Sequence, residues 1–278
     1  MPAWPNMQTL SGAAPGSPGS EPPLALVTGA SSGIGLEFAR LLARDGFRLI
    51  LLARDTRRLA AAARAIAPVP GGIELMAVDL SDREAVEELC GHLAALELDV
   101  LVNNAGFGAY GPFDEIDGAL EADMIAANVT ALTLITKAVL PGMVARGQGR
   151  IVNVASTAAF APGPFAAVYS ATKAYVLSLS EALAEELRDT RIRVTALCPG
   201  PTDTAFVERA GMGRTRVFKG PVASAKTVAE AGYTAMLAGR PVAVVGLANR
   251  LMTFAVRFAP RALVARLARR AFAEDEMG

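Results

Sequence analysis

From Leu24 onward, short apolar runs alternate with longer stretches of helical periodicity. The runs fall at residues 24–28, 48–52, 73–78, 100–103, 150–154, 193–198 and 242–245. Most are continuous apolar segments, the pattern of strands covered on both faces of a parallel sheet. Between them, residues 35–45, 55–67, 82–96, 117–146 and 168–188 carry spaced apolar positions and read as helices. Strand–helix alternation predicts an α/β chain with right-handed crossovers. The expected fold is a Rossmann-type, doubly wound parallel sheet of about seven strands in a single domain. The domain is expected over residues 24–248, between a disordered tail at 1–23 and a basic amphipathic extension at 249–278. The tail is rich in Pro, Gly and Ser with no apolar periodicity, and lacks the basic start and apolar run of a secretory signal. No window of about 20 uninterrupted apolar residues occurs, so a spanning helix is not expected.

Composition narrows the function. The chain of 278 residues balances 27 basic against 27 acidic side chains, which argues against an electrostatically driven nucleic-acid binder. Aromatics make up only 6%, too few for a base-stacking surface. Two Cys and one His can supply neither a disulfide framework nor an ordinary zinc site, so no metal is expected. A reducing, cytoplasmic compartment is the expectation. The zero is a sum of unlike parts. Residues 231–273 hold seven Arg and no Asp or Glu, leaving 20 basic against 27 acidic groups elsewhere. Only 4 of the 27 basic residues are Lys, which makes any Lys in a motif notable.

The first run leads directly into Thr28-Gly29-Ala30-Ser31-Ser32-Gly33-Ile34-Gly35, after which a helix opens. Glycines admit left-handed turns and close backbone approach, and the helix start offers unpaired N–H groups. This is a pyrophosphate cradle; the alternative is a glycine-rich turn without a ligand. The second run ends Leu52-Ala53-Arg54. Where dinucleotide folds carry an acid for the ribose, Ala53 stands here, and Arg54 can pair with a 2′-phosphate. That favours NADP(H) over NAD(H), with Ser31 adding a hydroxyl. In the opposing reading Arg54 is a solvated surface residue and Asp55 turns to the ribose.

Tyr169 and Lys173 are four apart in a helical stretch and share a face. A phenol normally titrates near 10; a neighbouring ammonium favours its ionised form. So placed, a Tyr can give a proton to a carbonyl oxygen or take one from an alcohol. Ser156, thirteen residues upstream, offers a hydroxyl for the same oxygen.

These motifs, taken in order, resemble the short-chain dehydrogenase/reductase family over about residues 24–247. TGASSGIG is similar to its cofactor fingerprint. Asp79-Leu80, Asn103-Asn104-Ala105-Gly106, Ser156, Tyr169-Ser170-Ala171-Thr172-Lys173 and Pro199-Gly200 follow in the family's order. The resemblance implies an oxidoreductase that moves a hydride between a nicotinamide cofactor and a carbonyl or alcohol. It implies that Asn128, Ser156, Tyr169 and Lys173 are catalytic, with Asn128 holding a water that links Lys173 to solvent. A helix-bend role for Asn128, bonded to backbone, is compatible with that one. It implies cofactor contacts from Gly29, Ser31, Ser32, Gly33, Ile34, Gly35, Arg54, Asp79, Leu80, Asn103, Ala105, Gly106, Tyr169, Lys173, Pro199, Gly200 and Thr202. Asp79 would accept from the adenine amino group, or cap the helix that starts near Ser81. Residues 117–146 and 168–188 resemble the family's dimer faces, which implies a homodimer or homotetramer.

Aromatic and apolar side chains gather in segments that should flank the nicotinamide: Phe107, Tyr110 and Phe113; Phe160, Pro162 and Phe165; Phe206, Met212 and Phe218. They suggest a lipophilic substrate, fatty-acyl or steroid-like, against ordinary loop packing. Gly211, Gly213 and Gly220 mark residues 201–221 as a mobile lid. NNAG followed by FGAYGPF resembles the lipophilic-substrate branch more than the acyl-carrier-protein reductases. From residue 261, Leu263, Val264, Leu267, Ala268 and Ala271 share one side of a helix, opposite Arg266, Arg269 and Arg270. This segment has four possible roles: packing on the body, covering the pocket, meeting a second subunit, or, over 250–272, touching an anionic membrane. The alternatives to a reductase of lipophilic ketones are a 3-oxoacyl-thioester reductase and a non-catalytic NADP(H) sensor or scaffold.

Overall fold

The computed structural model describes residues 21–220 and 222–273, without the side chains of Arg214 and Lys219. Most of the expected tail at 1–23, and the last five residues of the extension, lie outside the described residues. The chain runs β1 (Leu24–Thr28), α1 (Gly33–Arg44), β2 (Arg48–Ala53), α2 (Thr56–Ile66), β3 (Ile73–Ala77), α3 (Arg83–Leu93), β4 (Leu98–Asn103) and α4 (Gly118–Ile125). A π-helical turn (Ala126–Ala131) joins α4 to α5 (Leu132–Arg146). Then come β5 (Gln148–Val154), a 3₁₀ turn (Thr157–Phe160), α6 (Ala167–Glu186) and β6 (Arg191–Cys198). The rest is β7 (Thr202–Asp203), α7 (Ala205–Arg209), two 3₁₀ turns (Met212–Arg214, Arg216–Lys219), β8 (Ala223–Ser224), α8 (Ala225–Leu237), β9 (Val242–Val244), α9 (Leu247–Ala255), a 3₁₀ turn (Val256–Phe258) and α10 (Arg261–Phe272).

Seven strands form one parallel sheet in the order β3-β2-β1-β4-β5-β6-β9, the doubly wound arrangement expected. Strand alternation divides its side chains between two cores. Ala25 and Val27 face Phe38 and Leu42 of α1 and Val228 and Tyr233 of α8. Leu24 and Leu26 face Val86 and Leu89 of α3 and Ile135 and Val139 of α5. The strand order reverses between β1 and β4, where a crevice opens at the carboxyl ends of the strands.

Several elements depart from expectation. The single helix over 117–146 is interrupted by a π turn around Asn128. Among the described residues, Gly118–Arg146 is long and apolar enough to cross a membrane by length and composition. Its Leu132, Ile135, Val139 and Met143 are nevertheless buried against the sheet. Residues 201–220 are not without regular structure: they hold β7, α7 and two 3₁₀ turns, and β7 pairs with β8. Helix α8, unassigned from sequence, packs on α1.

Candidate functional site

A groove of about 640 Å³ opens above β1, β4 and β5. Its floor is the turn after β1. Gly29 sits at φ +65°, in the left-handed region, and a Cβ there would lie 2.7 Å from Asn104 Nδ2. Gly35 has no room for a side chain either, since a Cβ would meet the Gly29 carbonyl oxygen at 2.5 Å. Asn104 closes the turn by donating from Nδ2 to the Thr28 and Gly29 oxygens at 3.0 and 3.2 Å. Thr28 Oγ1 accepts from the backbone N–H of Asn104 (3.0 Å) and of Ala105 (2.9 Å). Behind this turn, α1 starts at Ser32 with no side-chain cap and no acid in its first turn. Free N–H groups and a positive helix end therefore face the groove, a fit for a pyrophosphate.

Beyond β2, Arg54, Arg58 and Arg209 all line the same end of the groove. The Arg209 guanidinium is held below its ordinary range, first by burial and then by repulsion from Arg54 and Arg58. Three cations collected at one place fit an anion there. Asp55 does not turn to a ribose alone: its carboxylate caps α2, accepting from the Arg58 N–H at 3.0 Å. Asp79 lines the groove and accepts from the Ser81 N–H and hydroxyl at 3.0 and 2.8 Å. These bonds hold its carboxyl below the usual carboxylate range. The cap of α3 is Asp82, not Asp79.

At the other end, Ser156, Tyr169 and Lys173 meet. Ser156 leaves β5, Tyr169 and Lys173 stand one turn apart on α6, and the Ser156 hydroxyl beside the Tyr169 phenol favours its ionised form. Lys173 Nζ donates to the Val154 carbonyl at 2.8 Å. Burial lowers Lys173 to about 8 and raises Tyr169 to about 12. Lys173 Nζ lies 5.8 Å from the ring centre, and the loss of water around the phenol dominates.

The remaining expected residues divide. Ser31, Ser32, Gly33, Ile34, Leu80, Ala105, Gly106, Pro199, Gly200 and Thr202 line the groove. Gly35 does not; it serves the close packing under the turn. Asn103 points away: its Nδ2 donates to Thr136 Oγ1 (3.0 Å) and Asn153 Oδ1 (2.9 Å), tying β4 to β5 and α5. Asn128 lies behind the groove. Its amide bonds the backbone N–H and C=O of Phe107 at 3.1 and 2.9 Å, and Thr172 Oγ1 at 3.1 Å. These bonds serve the helix bend, a role compatible with one in catalysis. Asn104, Arg58, Arg209 and Asn249 are lining residues that sequence reasoning missed. Strand alternation was the available signal for Asn104, since it and Asn103 must face opposite ways.

The wall is apolar. Phe107, Pro162, Phe206, Met212 and Phe218 line it, as expected. Phe160 instead packs beside Val176 and Leu177, and Phe113 is exposed. Phe206 stacks on Tyr169 with ring centres 5.3 Å apart. Helix α10 closes the top with Ala268, Ala271 and Phe272. It is held by Tyr110, whose hydroxyl donates to the Phe272 carbonyl at 2.5 Å, and by Arg269 over the Phe165 ring.

The family model "short chain dehydrogenase" matches residues 23–214. The chain belongs to the short-chain dehydrogenase family. This short-chain dehydrogenase is therefore an oxidoreductase. It is 40% identical over 210 residues to granaticin polyketide synthase putative ketoacyl reductase 1 of Streptomyces violaceoruber, covering 73% of this chain and 76% of that one. Its structure is similar to a short-chain dehydrogenase from Sphingobium yanoikuyae in complex with NADPH (TM-score 0.77, 33% identity, 85% of this chain and 93% of that one). It is also similar to the bulky-bulky ketone specific alcohol dehydrogenase from Comamonas testosteroni (TM-score 0.74, 30% identity, 86% and 93%).

Proposed function

We propose that this dehydrogenase uses NADP(H) to interconvert a bulky lipophilic ketone and its alcohol, working chiefly as a reductase. The observation that carries the reading is one groove with three arginines at one end and Ser156, Tyr169 and Lys173 at the other. Arg54, Arg58 and Arg209 would hold the 2′-phosphate, and the turn at Gly29–Gly33 with the start of α1 the pyrophosphate. When bound, the cofactor supplies or accepts the hydride. The chain's own groups manage the oxygen. Ser156 orients the carbonyl, and Tyr169 donates its proton to it. Lys173, protonated at neutral pH, stabilises the negative charge left on the phenol.

The phenol is strongly protonated in this site. A protonated tyrosine carries the proton that reduction delivers to the carbonyl oxygen, and the NADP(H) preference read from the arginine end favours reduction in a cell. The relative with a ketone-specific name and the apolar wall of Phe107, Phe206, Met212 and Phe218 support a bulky lipophilic substrate. The ketoacyl reductase relative supports a second reading, reduction of 3-oxoacyl thioesters. NADPH absorbance followed with a panel of aliphatic ketones, steroid ketones and 3-oxoacyl thioesters separates the two. Turnover of at least one class is expected, and its loss in Tyr169→Phe with NADPH binding kept. Silence across the panel with tight NADPH binding would support a sensor instead. A homodimer or homotetramer through the α4–α5 and α6 faces is also our reading, tested by sedimentation equilibrium.

A further inference from the structure

Helices α9 and α10 leave a large apolar surface without a partner among the described residues. Thr253 is the single buried residue of α9. Leu247, Leu251, Phe254 and Phe258 recur at spacings of four, three and four, which places them on one side. They are 72%, 62%, 59% and 75% exposed, and the Phe254 and Phe258 rings touch edge-on at 5.1 Å. On α10, Val264 turns into the body while Leu263 and Leu267 remain about half exposed. The sequence pattern put all three on one side of α10. The structure divides them: Val264 is buried against the body, with Ala268, Ala271 and Phe272 at the groove. Exposed apolar surface of this extent marks a contact site rather than ordinary surface.

The charge around the stripe selects the partner. Arg250, Arg257, Arg261, Arg266 and Arg270 flank it, and neither helix carries a carboxylate. A second copy docked across a two-fold axis would set Arg against Arg. Anionic lipid headgroups answer these charges, and acyl chains receive the Leu and Phe side chains. We propose that α9 and α10 seat the protein on the surface of an anionic lipid bilayer. The seat is continuous with the site: Asn249 and Met252 of α9 and Phe272 of α10 line the groove. A ketone dissolved in the bilayer then reaches the groove without crossing water, a consequence that rests on the function proposed above. The membrane seat itself does not rest on it.

Flotation of the full chain with vesicles tests the seat, using phosphatidylcholine alone or with about one third phosphatidylglycerol. The protein is expected to float with the anionic vesicles, less so at high salt. Leu251→Glu/Phe254→Glu/Phe258→Glu should cut flotation about tenfold or more. Arg257→Glu/Arg266→Glu, which leaves the apolar stripe intact, should cut it as well. Turnover of a water-soluble ketone should be unchanged in both variants. Three outcomes overturn the seat: no flotation of the wild type, flotation unchanged in both variants, or a dimer dissociated by the triple variant without vesicle binding. Because flotation is read without turnover, a silent substrate panel leaves this test intact.

Discussion

Lys173 Nζ lies 5.8 Å from the centre of the Tyr169 ring, and both side chains are buried. The two groups move in opposite directions on burial, Lys173 down to about 8 and Tyr169 up to about 12. The free enzyme at neutral pH therefore holds a protonated phenol beside an ammonium. The reductive kcat/KM should be level at neutral pH and fall above pH about 8, as Lys173 loses its proton. A pH profile of NADPH oxidation checks this. A profile level to beyond pH 10 would place control with Tyr169 instead.

The same lysine is a cost to the fold. No carboxylate among the described residues pairs with it, and one carbonyl at 2.8 Å is its hydrogen-bond partner. Its folded pKa is depressed, so the unfolded chain binds more protons between pH about 8 and 10.5. Stability from this group therefore rises with pH across that window and is lowest below it. Lys173→Met should remove a penalty of about 3 kcal/mol and lose a hydrogen bond of about 1 kcal/mol. The ligand-free variant should melt roughly 5 °C higher at pH 7 while turnover is lost. A lower melting temperature would mean that the bond to Val154 outweighs the desolvation.

Arg54 and Arg209 come from separate elements of the groove, one after β2 and one on α7. If both hold a 2′-phosphate, Arg54→Ala and Arg209→Ala should each raise the KM for NADPH by about tenfold or more. The KM for NADH should change little. Initial rates with both cofactors decide it, and equal effects would remove the phosphate assignment.

Physical patterning explains which parts were legible. The central strands were readable because Leu24–Val27 of β1 and Leu49–Ala53 of β2 are continuous, buried apolar runs, and Thr28–Gly35 was readable because its glycines are sterically required. Helix α8 was not, since half of its buried positions are Ala or Gly, which leaves Val228, Tyr233 and Met236 as a sparse apolar stripe. Arg58 and Arg209 were illegible as partners, because a basic residue on a short helix carries no local sign of what the fold places beside it. The roles of Asn103 and Asn104 turn on strand alternation, where one residue of register separates a core bond from the groove. The π turn at Asn128 arises because the side chain is taken up by the backbone of Phe107, a contact 21 residues away.

One of the bonds that hold the roof of the groove is made by a side chain that can be trimmed. The Tyr110 hydroxyl donates to the carbonyl of Phe272, the last residue of α10, and the Tyr110 ring lies 6.0 Å from Phe165. Phe165 itself sits at φ +67°, a strained conformation for a bulky residue, and its ring meets Arg269 of α10. Tyr110→Phe keeps the ring packing and deletes the hydrogen bond, a loss of about 1 kcal/mol. Helix α10 should then open more often, with faster amide exchange over residues 261–273 and roughly fivefold less protection. The KM for a bulky ketone should rise by a similar factor. The KM for NADPH should stay constant, because the arginine end of the groove is untouched. Unchanged exchange with an altered NADPH KM would show that Tyr110 acts on the cofactor side and not on the roof.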